Sequence, residues 1–183
     1  VCFTANRGEQ EIEASTLLLH QGVVPNVQIT RQVGAAHVWY EPQRYWRPFT
    51  DEWGATSVET LAVAGDGAGI FGAEVATAAG CLTGLDAAYQ LGKIDELERD
   101  FEAGPFLRER NRIAGVRPLL DRLFQPTEDI LRPADDTVVC RCEEVSAGAI
   151  RECVAEGATG PNQLKSFTRC GMGPCQGRMC GLT

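Results

Sequence analysis

Over the first 65 or so residues, apolar side chains come in runs of two to four cut by turn formers, the pattern of strands joined by tight connections. Val1-Cys2-Phe3 and Ile12-Glu13-Ala14 flank a polar turn, and Thr16-Leu17-Leu18-Leu19 leads to Gly22-Val23-Val24-Pro25-Asn26. His37-Val38-Trp39-Tyr40 and Tyr45-Trp46-Arg47 lie either side of Glu41-Pro42-Gln43-Arg44, and their aromatic and β-branched residues suit a hairpin. Thr60 to Ala64 reads as one more apolar strand.

The period then changes. Gly72 to Leu91 is rich in Ala and Gly, the composition of a helix lying close against a sheet, and Asp95 to Phe101 is amphipathic. Between Phe106 and Phe124, residues Val116, Leu119, Leu120, Leu123 and Phe124 recur at i, i+3, i+4, i+7 and i+8, which predicts a buried stripe on a helix ended by Pro126. Residues 125–136 hold Pro126, Pro133 and four carboxylates and read as a linker. Ser146 offers an N-cap to a helix through Glu156, stopped by Gly157, with Ile150, Cys153 and Val154 as its buried stripe. Thr159-Gly160-Pro161 opens a second short helix. The expected class is α+β in three parts: a β-rich then strand–helix portion over 1–92, a helical connector and linker over 93–134, and a small all-α module over 135–183.

Composition narrows the function classes. The 183 residues are 44% hydrophobic, enough for a core, and 25 acidic against 17 basic side chains leave a net charge of -8. No concentration of Lys and Arg is available to hold phosphates, which argues against nucleic acid as a partner. No apolar run approaches the ~20 residues that span a bilayer. The opening at Val1 suggests entry into a longer protein partway along. Of the 8 cysteines, Cys2 and Cys81 stand alone, while Cys140, Cys142, Cys153, Cys170, Cys175 and Cys180 crowd the end. A secreted disulfide scaffold would spread its cysteines, so a reduced, metal-binding tail on a cytoplasmic protein is the expectation.

Two motifs carry chemistry. Gly67, Gly69 and Gly72 make a formal G-x-G-x-x-G, but helix rather than a second strand follows, against a first Rossmann unit. An Asp between glycines, at the end of a strand and ahead of a small-residue helix, suits a polyhydroxy, phosphate-bearing cofactor; the glycines could equally serve tight packing alone. Ala64-Gly65-Asp66-Gly67-Ala68-Gly69 resembles the second flavin motif of the disulfide-oxidoreductase-like flavoproteins, and Gly22-Val23-Val24-Pro25-Asn26 resembles that family's G-x-x-P-N segment. The resemblance implies that residues 1–92 end such a flavin-binding domain. It implies FAD, or another adenine nucleotide, near Gly65, Asp66, Gly67, Ala68, Pro25 and Asn26, with Asp66 accepting from the ribityl chain and a helix dipole facing the cofactor. His20, His37 and the aromatic residues of the hairpin read as structural.

Four thiolates can hold a two-iron, two-sulfide cluster, and the same set can hold zinc. Cys140-Arg141-Cys142 supplies one pair, and Cys170, Cys175 and Cys180 are candidates for the other. The run from Cys140 through two helices to Gly171-Met172-Gly173-Pro174-Cys175 and Cys180 resembles the bacterioferritin-associated-ferredoxin-like [2Fe-2S] module, whose second pair is commonly C-x-x-C rather than the C-x-x-x-x-C seen here. That resemblance implies Cys140, Cys142, Cys175 and Cys180 as ligands, with Cys170 the substitute. Arg141, Lys165, Arg169 and Arg178 could offset cluster charge. Cys2, Cys81 and Cys153 read as packing.

A flavin half-site followed by such a module is similar to the C-terminal part of the FAD-binding α subunit of bacterial dye-linked amino-acid dehydrogenases, the opine oxidase and hydrogen cyanide synthase family. The resemblance implies an electron relay with no catalytic acid, base or nucleophile of its own. Its expected partners are the N-terminal remainder of the same polypeptide, a small ferredoxin-like subunit, and an amino-acid-oxidase-like flavoprotein β subunit. Its expected place is the cytoplasm, peripheral at the inner membrane through the complex. The competing reading is a non-enzymatic ferredoxin-like or zinc-binding scaffold with a vestigial nucleotide site.

Overall fold

The computed structural model describes residues 1–5, 8–20 and 22–181. Its first hairpin pairs β1 (Cys2–Ala5) with β2 (Gly8–Glu11), Cys2 opposite Glu11; the tip falls outside the described residues. Cys2 is exposed there, so it is a surface thiol rather than packing. Residues 16–19 do not form the expected strand, and Leu18 is 90% exposed. A strand requires a neighbour to take its backbone hydrogen bonds, and no described residue forms one with this run. Residues 60–64 likewise reach only an isolated bridge between Ala55 and Ala62.

The aromatic hairpin forms as its composition predicts. After the short α1 (Gln28–Gln32), β3 (His37–Tyr40) pairs with β4 (Tyr45–Pro48) across a 3-10 turn at Glu41–Gln43, closed by Arg44 at φ 53. Trp39 meets Trp46 edge-on at 5.6 Å, and Tyr40 lies 5.4 Å from Tyr45, whose ring is 1% exposed. His37 is structural: its ring nitrogens sit 2.9 Å from Thr30 Oγ1 and 2.8 Å from the Ala35 carbonyl.

α2 (Ala73–Gln90) packs on α3 (Glu96–Ala114) and buries Leu82 with Ala78 and Ala103, the two alanines letting the backbones approach. Asp95 caps α3 by accepting from the Glu98 N–H at 2.8 Å. The separate helices expected at 95–101 and 106–124 are differently divided. α3 continues through Pro105, which forgoes only its own N–H bond, and the chain breaks instead at Gly115-Val116 before α4 (Arg117–Leu123). α4 also reverses the predicted facing. Its buried residue is Asp121, whereas Leu119, Leu123 and Phe124 are exposed.

The linker contains one helical turn, α5 (Glu128–Leu131), and the end of the chain is not all-α. Its two helices, α6 (Ala147–Ala155) and α7 (Pro161–Thr168), are preceded by a small hairpin of β5 (Val138–Cys140) and β6 (Val145–Ser146). Pairing Cys140 with Val145 holds the first cysteine on extended backbone and bends residues 141–144 into a turn. Ser146 caps α6 as expected, accepting from the Ala149 N–H at 3.2 Å. Ala147 and Cys153 are buried on that helix and Val154 is not.

Candidate metal centre

The core of the last unit is made largely of sulfur. Cys140, Val145, Cys170 and Cys180 are buried together, with Val139, Ile150 and Leu164 packed on them. The sulfurs of Cys140, Cys170 and Cys180 all lie within 4.8 Å of one another. Cys142, exposed, and Cys175, half-buried, lie beside each other, close enough for each thiol to perturb the other. The C-x-C cysteines thus have different neighbours: Cys140 lies with Cys170 and Cys180, and Cys142 lies beside Cys175. All 8 cysteines are free thiols.

Local backbone geometry makes this convergence possible. Arg169, at φ 62, ends α7 and turns the chain back, and Thr168 Oγ1 accepts from the Cys170 N–H at 3.1 Å. Gly171, at φ 81, then donates its N–H to Cys140 Sγ at 3.4 Å. A methyl group at Gly173 would sit 2.1 Å from Cys142 Cβ, so only glycine lets the last loop approach that cysteine. Arg169 pairs with Glu143 at 2.7 Å, fastening this loop to the turn between β5 and β6.

Hydrogen bonding and burial divide the thiols into two kinds. The Gly171 N–H, assisted by that of Glu143, holds Cys140 below the usual thiol range against the effect of burial. Backbone N–H groups, chiefly that of Met179, do the same for Cys175. Burial, with the neighbouring sulfurs, pushes Cys180 up to about 12 and raises Cys170 as well. Cys140 and Cys175 are thus held toward the thiolate, and Cys142, Cys170 and Cys180 toward the thiol.

The residues expected around a flavin are divided. Gly65–Gly67 form a 3-10 turn, and Asp66 is exposed with no hydrogen bond among the described residues. A cavity of about 360 Å³ lies over Gly65, Ala68 and Gly69 and is also lined by Arg47, Phe71 and Arg110. Pro25 and Asn26 line a different groove, of about 260 Å³, with Arg31, Trp46, Gly177 and Arg178. That second groove borders the cysteine loop, a juxtaposition that sequence spacing did not reveal. Nor did it reveal Arg47, which lies 5.0 Å from the Tyr40 ring and 5.6 Å from Phe71 with its Nε buried and unpaired among the described residues.

Residues 138–182 match the family described as the BFD-like [2Fe-2S] binding domain. The chain as a whole is 44% identical to the opine oxidase A subunit of Rhizobium meliloti, covering all of this chain and 35% of that protein. It is 41% identical to the opine oxidase A subunit of Agrobacterium tumefaciens, again over all of this chain and 37% of the relative. Hydrogen cyanide synthase subunit HcnB of Pseudomonas aeruginosa is 34% identical over 92% of this chain and 36% of its own length. The chain therefore spans a little over a third of the length of these relatives. No solved structure matches.

Proposed function

We propose that this chain is the electron-transfer part of a multi-subunit flavin and iron–sulfur dehydrogenase acting on C–N bonds of amino acids or opines, with a [2Fe-2S] cluster held by Cys140, Cys142, Cys175 and Cys180. The observation that carries the reading is the convergence of buried cysteine sulfurs within a stretch matching the BFD-like domain. Soft thiolates select iron–sulfur clusters or zinc over hard cations. Two thiolates on one tetrahedral metal, with bonds of about 2.3 Å, lie about 3.8 Å apart, a separation open to the sulfurs of Cys140 and Cys180, which lie within 4.8 Å of each other. The Gly171 N–H would remain on the Cys140 sulfur and offset charge there.

FAD is the proposed second cofactor. Arg47 and Arg110 line the cavity over Gly65 and Ala68 and suit phosphate, and the free carboxylate of Asp66, on the same turn but outside that lining, suits a hydroxyl donor. When bound, a flavin accepts electrons in pairs and a [2Fe-2S] cluster takes them singly. Pro25 and Asn26 line the groove that Gly177, Arg178 and Gly181 of the cysteine loop also line, which sets that segment beside the cluster region rather than beside the cavity over Gly65. The likeness to the opine oxidase A subunits and to HcnB supports the enzyme class. On this reading the chain works with the remainder of a longer polypeptide, a small ferredoxin-like subunit, and an amino-acid-oxidase-like flavoprotein β subunit. The complex works in the cytoplasm, peripheral at the inner membrane. No described helix is long and apolar enough to cross a membrane.

Anaerobic purification followed by visible and EPR spectroscopy, with assays for iron, acid-labile sulfide, zinc and flavin, tests this. Equal iron and sulfide with flavin bands support the whole reading. Iron and sulfide without flavin would leave the cluster and remove FAD, and zinc alone would leave a scaffold. Cys175→Ser should lose at least nine-tenths of the iron, whereas Cys170→Ser should keep it.

A further inference from the structure

Acidic side chains outnumber basic ones 25 to 17, yet none lies in residues 14–40 or 157–183, nearly a third of the chain. These two segments carry Arg31, Lys165, Arg169 and Arg178, and folding brings them together. Arg31 and Arg178 line one groove of about 260 Å³ with Trp46 and with Gly177 of the cysteine loop. A methyl group at Gly171 would meet Lys165 Cε at 3.5 Å, and Gly177 Cα and Cys180 Sγ at 3.8 Å, so the lysine, the groove and the buried sulfurs are neighbours. Arg169 is occupied by Glu143, whereas Arg31, Lys165 and Arg178 join no ion pair among the described residues. Arg31 lies 6.0 Å from the Trp46 ring, and Arg178 reaches only the Cys175 carbonyl, at 3.5 Å.

A cationic face without carboxylates, on a chain of net charge -8, suits an anionic partner. Arg31 and Arg178 are exposed, and exposed charges in an open groove hold a lone small anion weakly. Val24 and Trp46, each 43% exposed and both lining the groove, and Met179, 63% exposed, add apolar area beside the cations. Arg, Trp and Met together are the composition of a protein interface. We propose that this face docks a small acidic electron-carrier protein of the ferredoxin type, with Arg31, Lys165 and Arg178 toward its carboxylates and Trp46 and Met179 in apolar contact. The proposal rests on the [2Fe-2S] reading above and adds where the partner sits. Docking there sets the carrier against residues 171–181, the loop that holds Cys175 and Cys180.

The full chain, reconstituted anaerobically and kept oxidised, is titrated with an oxidised acidic plant-type ferredoxin, and the dissociation constant is read by calorimetry. Saturable binding is expected, weakening steeply between about 0.01 and 0.1 M salt as the screening length falls from about 30 to about 10 Å. Arg31→Glu should weaken it about tenfold. Lys93→Glu, the same change of charge in the turn between α2 and α3, should leave it within about twofold. Circular dichroism checks the fold of each variant; if Arg31→Glu does not fold, Lys165→Gln with Arg178→Gln must weaken binding in its place. No saturable binding, binding indifferent to salt, binding unchanged in the groove variant, or equal weakening by Lys93→Glu overturns the proposal. Absence of a [2Fe-2S] spectrum in the reconstituted chain, seen before any ferredoxin is added, is the failure of the function itself and removes the carrier with it.

Discussion

Asp121 is 4% exposed, and its carboxylate accepts from the Tyr40 hydroxyl at 2.6 Å while Arg117 pairs with it from one turn earlier. Burial first, and this hydrogen bond second, push the Tyr40 phenol from 10.0 up to about 12. The unfolded chain releases that proton near pH 10 and the folded chain near pH 12, so the contribution is complete below pH 10 and lost as pH rises through that window. The melting temperature should therefore fall between pH 10 and 12. Tyr40→Phe should flatten the fall and cost about 1.5 kcal/mol at neutral pH through the lost hydrogen bond. Thermal melts across pH, with absorbance at 295 nm, check both; equal slopes in the two proteins would contradict the assignment.

At the scale of elements, local signals and pairing signals behaved differently. The Ala-rich helix at 73–90, the Ser146 cap and the Pro161 start were readable because each depends on neighbours within a turn. The runs at 16–19 and 60–64 have strand composition yet form no ladder beyond one bridge, because a strand depends on a pairing segment that composition does not supply. α4 carries the instructive case. Its periodicity correctly marks an amphipathic helix, yet a stripe does not state which face finds a partner, and here Asp121 docks the helix against the Tyr40–Gln43 end of the hairpin. Removing one partner of a buried ion pair is costly, so Asp121→Ala should destabilise by about 3 kcal/mol. Leu119→Glu, on the exposed stripe, should change stability by less than about 0.5 kcal/mol. Denaturant midpoints of the two variants decide which face holds α4.

Across the whole molecule, the last unit is stabilised by few apolar side chains, and its core consists mainly of thiols that a metal would tie together. Binding free energy at such a site is folding free energy. Loading iron and sulfide should raise the melting temperature of residues 138–181 by roughly 10–20 °C, the shift for a ligand present at 100 times its dissociation constant. Cys175→Ser should melt at the unloaded temperature in both states. Calorimetry before and after chelation measures this, and identical melts would show that the sulfur cluster plays no part in holding the unit together.

By itself the sequence determined the chemistry on offer: soft sulfur donors crowded at one end, a Gly-Asp-Gly turn, and helices whose caps and composition are local. These are properties of residue identity and of neighbours a turn away. The tertiary structure decided which sulfurs meet, gathering Cys140, Cys170 and Cys180 in one buried corner and placing Cys142 beside Cys175. It also separated Asn26 from Gly65 into different cavities. The physical reason is that spacing along a chain limits reach but not direction. The positive φ angles at Arg169 and Gly171, and the missing side chain at Gly173, set where each sulfur points.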